Sequence, residues 1–156
     1  MLEADIPGFG PIRADYLVLD LNGTLAIDGT VIDGVKDRID EMSRLLSVIV
    51  VTADTFGVVE KELAGAACKV EILSQHEQDR KKGDLIDRLG AERCIAIGNG
   101  RNDCVMLEKA RLGICVVQKE GAASRAISAA DVVCGDIHAA FDLLRFPKRL
   151  IATLRT

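Results

Sequence analysis

Residues 16–25 read Tyr16-Leu-Val-Leu-Asp20-Leu-Asn22-Gly-Thr24-Leu25. An unbroken apolar run that ends on an acid and passes into a glycine-containing polar turn is the pattern of a strand buried on both faces, with polar business at its carboxyl end. Similar runs recur at residues 48–52 (VIVVT), 69–73 (KVEIL), 94–97 (CIAI), 113–117 (GICVV) and 131–134. Between them lie helical patterns at 35–46, 58–66, 82–89, 103–109 and 122–129. Strand–helix alternation of this kind predicts right-handed crossovers and an α/β fold with a doubly wound parallel sheet and helices on both faces.

Two pieces break the alternation. Residues 25–32 (LAIDGTVI) place two short apolar arms around Asp28-Gly29, a strong β-hairpin signal. Residues 141–155 form an amphipathic helical segment interrupted by Pro147, suited to covering a sheet edge or to packing on another subunit. With no repeat, low-complexity tract or linker, one domain over 1–156 is expected.

Composition narrows the function classes. Nearly half the residues are apolar, which excludes disorder, and acids outnumber bases 24 to 20 with no run of Lys and Arg. That balance argues against a nucleic-acid partner or an anionic membrane surface. No apolar stretch reaches the roughly 18 residues of a membrane span, and residues 1–15 lack the basic and apolar regions of a signal peptide. The five cysteines (68, 94, 104, 115 and 134) are widely spaced without a C-x-x-C pair. They read as buried small hydrophobes in a reducing cytoplasm. His76 and His138 lie in polar segments and are given no role.

Four strand ends carry polar residues out of keeping with the strands before them: Asp20-Leu-Asn22-Gly-Thr24, Thr52-Ala53-Asp54, Lys82 opening a helix, and Gly98-Asn99-Gly100-Arg-Asn102-Asp103. Singly, each has a bland reading. An Asp at a strand end is usually a turn or cap, Thr52 an N-cap, Gly98-Asn-Gly100 a turn, and a lysine at a helix start is usually solvated.

In this order the four motifs resemble those of the haloacid dehalogenase superfamily, and among its members the phosphorylation domain of P-type ATPases and the soluble, capless proteins similar to it. The resemblance implies a Rossmann-like sheet and a phosphatase that transfers the phosphoryl group through an aspartyl-phosphate on Asp20. Within it Asn22, Gly23, Thr24, Thr52 and Ala53 would contact phosphate, the main-chain N–H groups of the 22–24 turn forming a cradle. Lys82, with Lys81 as the alternative, would neutralise phosphoryl charge. Magnesium would be held by Asp20, the carbonyl of Asn22, and Asn99 or Asp103.

Two positions depart from the pattern. Where ordinary phosphatases of the superfamily carry a second Asp that protonates the leaving group and activates water, this chain has Asn22, which cannot do general acid–base work. Asn99 replaces another usual Asp and removes one charge from the metal site. The expectation is therefore a slow phosphatase favouring good leaving groups, on a phosphorylated small molecule or protein. The alternative is a phosphate-binding or phosphorylatable partner protein with little turnover. The intervals after Asp20 and after Asp54 leave no room for a cap domain. The resemblance also implies a homo-oligomer, in some relatives a tetramer, with the Asp28-Gly29 hairpin as the flap at the contact.

Overall fold

The computed structural model describes residues 1–53 and 58–156. An antiparallel pair, β1 (Leu2–Ile6) and β2 (Gly10–Ala14), precedes β3 (Tyr16–Asp20), the two-residue strands β4 (Ala26–Ile27) and β5 (Thr30–Val31), and α1 (Val35–Ser43). Then come β6 (Ser47–Thr52), α2 (Val58–Glu62), β7 (Lys69–Ile72), α3 (Gln78–Leu89), β8 (Cys94–Gly98) and α4 (Cys104–Lys109). The chain finishes with β9 (Leu112–Val116), α5 (Ser124–Ala129), β10 (Val132–Cys134), α6 (Ile137–Arg145) and α7 (Pro147–Leu154).

Six strands form one sheet in the order β10-β9-β8-β3-β6-β7, every pair parallel. Alternate residues of these strands feed opposite layers, as strand geometry requires. Leu17, Leu19, Val48, Val50, Ile95 and Ile97 point to a layer made by α1, α2, α6 and α7. Val18, Ile49, Val51, Ala96 and Cys115 point to a second layer, against α3, α4 and α5. The doubly wound sheet expected from the alternation is thus the fold.

Register decides where the chemistry gathers. Asp20 pairs with Val51 and Leu19 with Ile97, so Asp20, Thr52 and Gly98 finish at one rim of the sheet. Residues 25–32 turn as the Asp-Gly signal requires: Asp28 and Gly29 both have positive φ, 50° and 78°, as the centre of a type I′ turn needs.

Besides helices α1, α2 and α5, which are shorter than their patterns, three features differ from the sequence expectation. The β1–β2 hairpin was not expected; Leu2, Ala4 and Ile6 alternate inward along β1, and α7 packs against it. Helix α6 starts at Ile137, because Asp136 caps it by accepting the Ala139 N–H at 2.7 Å, and Pro147 opens α7. The C-terminal segment therefore covers this chain's own N-terminal hairpin and sheet face. Helix α3 begins at Gln78, which puts Lys82 in its second turn and not at its start.

Candidate active site

Asp20 ends the central strand, 6 % exposed. Lys82 shares the inward stripe of α3 with Leu85 and Ile86, three and four positions on, and is therefore carried under the sheet rim, 1 % exposed. Its Nζ donates to Asp20 Oδ1 and to Asp103 Oδ1, each at 2.6 Å. Lys81, one position round the helix, points away: its Nζ donates to the His76 carbonyl at 2.9 Å and to the Ser74 hydroxyl. The geometry thus selects Lys82 over Lys81 as the lysine of the site.

Asp103 is completely buried and completely engaged. Besides Lys82, it accepts the main-chain N–H groups of Asn99 at 3.0 Å and Gly100 at 2.8 Å through Oδ2. It holds the lysine and the loop together from beneath. Asn99 Nδ2 donates to the Gly121 carbonyl at 3.0 Å, which fixes the amide with Oδ1 toward Thr24. The Thr24 hydroxyl lies 3.2 Å from both Asn99 Oδ1 and Asp20 Oδ2, so one proton serves two acceptors.

Two acids sharing one base sets the electrostatics. Burial, reinforced by the Asp103 charge, pushes the Asp20 carboxyl up to about 7 against the pull of Lys82 and Thr24. Burial works against the Lys82 ammonium, but Asp20 and Asp103 hold it above its ordinary value. Counting Asp20, Asp103 and Lys82, the ionised centre carries one net negative charge.

Above Asp20 opens a pocket of about 720 Å³. Asp20, Asn22, Thr52, Ala53 and Lys82 line it, as expected; Asp54 lies outside the described residues. Gly23 and Thr24 do not border it, which corrects the expected phosphate cradle. The Gly23 N–H is spent on the Ala26 carbonyl at 2.7 Å and the Thr24 N–H on the Leu21 carbonyl at 3.2 Å. Of the residues after Asp20, it is Leu21 and Asn22 that border the pocket. Gly23 is there for close packing: its φ is +80°, and a Cβ would sit 2.2 Å from Asn99 Nδ2.

Sequence reading also missed Gln118. Its Nε2 donates to the carbonyls of Gly23 and Thr24, both at 2.9 Å, while its Oε1 accepts the Ile137 N–H at 2.9 Å. One amide thus clamps the turn after Asp20 to the end of β9 and the start of α6. The flap is tied down as well, the Asp28 N–H donating to Glu120 Oε1 at 2.8 Å and the Val31 N–H to Glu62 Oε2 at 3.4 Å.

Among the described residues, no group of three or more His, Cys, Asp and Glu is placed to hold a metal. The Thr24 hydroxyl brings together the Asp20 carboxylate and the Asn99 amide oxygen, while Asp103, also expected as a metal residue, is spent on Lys82 and the 99–100 main chain. All five cysteines are free, and burial pushes each thiol up, so they are inert packing groups. No helix among the described residues is long and apolar enough to cross a membrane.

Comparison with known proteins agrees with this arrangement. The family model of haloacid dehalogenase-like hydrolases matches residues 86–139, which include the loop from Gly98 to Asp103. An uncharacterized protein of Methanocaldococcus jannaschii is 52 % identical over 64 residues, covering 41 % of this chain and 69 % of that protein. In fold, the chain is similar to the 3-deoxy-D-manno-octulosonate 8-phosphate phosphatase of Moraxella catarrhalis, solved with magnesium, phosphate and its octulosonate. The TM-score is 0.64 at 17 % identity, covering 92 % of this chain and 88 % of that one. It is also similar to the catalytic domain of the CPx-ATPase CopB-B, with a TM-score of 0.58 at 18 % identity over 74 % of this chain and 46 % of that one. Ordered motifs, sheet topology and matched sequence agree: the chain belongs to the haloacid dehalogenase-like hydrolases.

Proposed function

We propose that the protein is a magnesium-dependent phosphatase working through an aspartyl-phosphate on Asp20. The observation that carries this reading is the environment of that one carboxylate. Lys82 holds Oδ1 at 2.6 Å, while Oδ2 accepts from the shared Thr24 hydroxyl beside an open pocket. An oxygen of Asp20 attacks phosphorus, the P–O bond to the leaving group breaks, and that oxygen departs. Water then attacks phosphorus, breaking the aspartyl bond and releasing inorganic phosphate. Lys82 offsets charge on the phosphoryl oxygens, Thr52 and Asn22 border them, and Asp103 keeps the lysine in place.

The residues fit a magnesium ion: the donors are all oxygens, and a centre of net charge −1 welcomes a dication. Asp20, the Asn22 carbonyl and Asn99 would hold it, and it would neutralise charge on the substrate phosphate. The magnesium in the Moraxella catarrhalis phosphatase of the same fold is consistent with this. Asn22 is exposed at the leaving-group side and supplies no proton, so alkyl esters should react slowly and acyl or aryl phosphates faster. Assay of acetyl phosphate and p-nitrophenyl phosphate with magnesium and with chelator tests the proposal: metal-dependent release of phosphate supports it. Silence on both, with stable labelling of Asp20 by acetyl phosphate, would instead favour a phosphorylatable partner protein, the reading that Asn22 supports.

A further inference from the structure

The pocket above Asp20 differs in character from the centre beneath it. Among its described lining residues Lys82 is the one cation, and both of its 2.6 Å contacts are already to carboxylates. The side wall carries a further carboxylate, Glu62, which the Val31 N–H of the flap holds at 3.4 Å. Opposite runs a chain of amides: Asn102 Nδ2 donates to Gln78 Oε1 at 2.8 Å, and Gln78 Nε2 to the Gln75 carbonyl at 3.3 Å. Amides both donate and accept, so they suit hydroxyl groups, which do the same. No cation other than Lys82 stands among the described lining residues to pair with a second anionic group, and Glu62 repels one.

Resting on the phosphatase reading above, we propose that the substrate is a monophosphate ester of a small, uncharged, hydroxyl-bearing compound, and that Glu62 is the residue that rejects esters with a second negative charge. A carboxylated or doubly phosphorylated analogue would bring its extra charge against the Glu62 carboxylate on the pocket wall, with no further cation among the described lining residues to offset it. One like-charge contact across a partly solvated pocket is worth about tenfold in affinity.

Matched esters test this. Glucitol 6-phosphate and 6-phosphogluconate, and glycerol 3-phosphate and 3-phosphoglycerate, differ within each pair by a carboxylate in place of a hydroxymethyl group. The neutral member should be preferred in kcat/KM by about tenfold at low salt, and the preference should shrink with added salt because exposed charges are screened. Glu62→Gln should narrow the ratio and Glu62→Lys should reverse it, mainly through KM. A wild type that hydrolyses the carboxylated twins equally well or better overturns this proposal while leaving the phosphatase reading intact. Hydrolysis of neither twin, nor of acetyl phosphate, overturns both. If Glu62→Lys melts early, the salt dependence of the wild-type ratio decides alone: a ratio insensitive to salt would exclude the charge mechanism.

Discussion

Lys82 Nζ lies 2.6 Å from Asp103 Oδ1 with the two side chains 1 % and 0 % exposed, a fully desolvated ion pair. Removing one partner of such a pair leaves an uncompensated charge and costs about 3–5 kcal/mol. Lys82→Met strands two carboxylates, so its melting temperature should fall by roughly 10 °C and its phosphatase activity should vanish. Calorimetry checks the first and phosphate release the second. A variant melting with the wild type would mean that Lys82 is not the buried partner of Asp103.

Asp20→Asn should also be inactive, yet it should be the more stable protein in chelator at pH 7.5. The folded-state carboxyl, at about 7, lies above its unfolded value of 3.8. Between those two values the unfolded chain has released a proton that the folded chain retains. Stability contributed by this group is therefore full below about pH 4 and falls as pH rises toward 7. The variant lacks that fall. Melting curves of both proteins from pH 4 to 8 should converge at the acid end and separate by several degrees at the alkaline end; parallel curves would contradict the raised carboxyl.

Asn99→Asp exchanges an amide that donates to the Gly121 carbonyl at 3.0 Å for a carboxylate facing it, and adds a third acid around one lysine. Without metal the variant should melt lower than the wild type by about 1–3 kcal/mol of stability. Magnesium should recover more for the variant than for the wild type, and half-maximal activity should need less of it. Titrating magnesium against melting temperature measures this directly; equal recovery in both would remove Asn99 from the metal site.

Asn22→Asp puts a carboxylate at an exposed position bordering the pocket. Turnover of alkyl phosphates should rise, at most within the 10²–10⁴-fold range of general acid–base catalysis. Acyl and aryl phosphates should gain less, since their leaving groups need no proton. The wild type should accumulate phosphoenzyme in rapid-quench experiments and the variant should not.

The parts of the fold that could be read beforehand are those where burial makes every residue apolar. The runs at β3, β6 and β8 announce themselves, and so do the polar residues that follow them. The β1–β2 hairpin escaped because its strands are five residues long and half polar, Leu2-Glu-Ala-Asp-Ile6, too short for alternation to stand out even with the Pro7-Gly8 turn signal between them. The first turn of α3 escaped because Gln78, Asp79 and Arg80 offer no apolar period, though Lys82 with Leu85 and Ile86 does carry one that could have separated it from Lys81. Gln118 was unreadable for another reason. Its partners are main-chain carbonyls 94 and 95 positions away, and a bond to a carbonyl leaves no trace in residue type at the accepting end. Glu62 likewise acquires meaning only once α2 and the flap are side by side.

That clamp by Gln118 also has a bearing on how the protein comes off the ribosome. The nucleophile is among the first residues made, but the turn that shapes its surroundings is held by residue 118, and the amide beside it by residue 121. Central strand pairs can form earlier, since β6 and β8 both precede residue 118. A growing chain thus passes through a stage in which its parallel core exists while the loop around Asp20 is unbraced, because contacts across about 95 residues close late. The bracing around Asp20 is therefore complete only once the last quarter of the chain has been made.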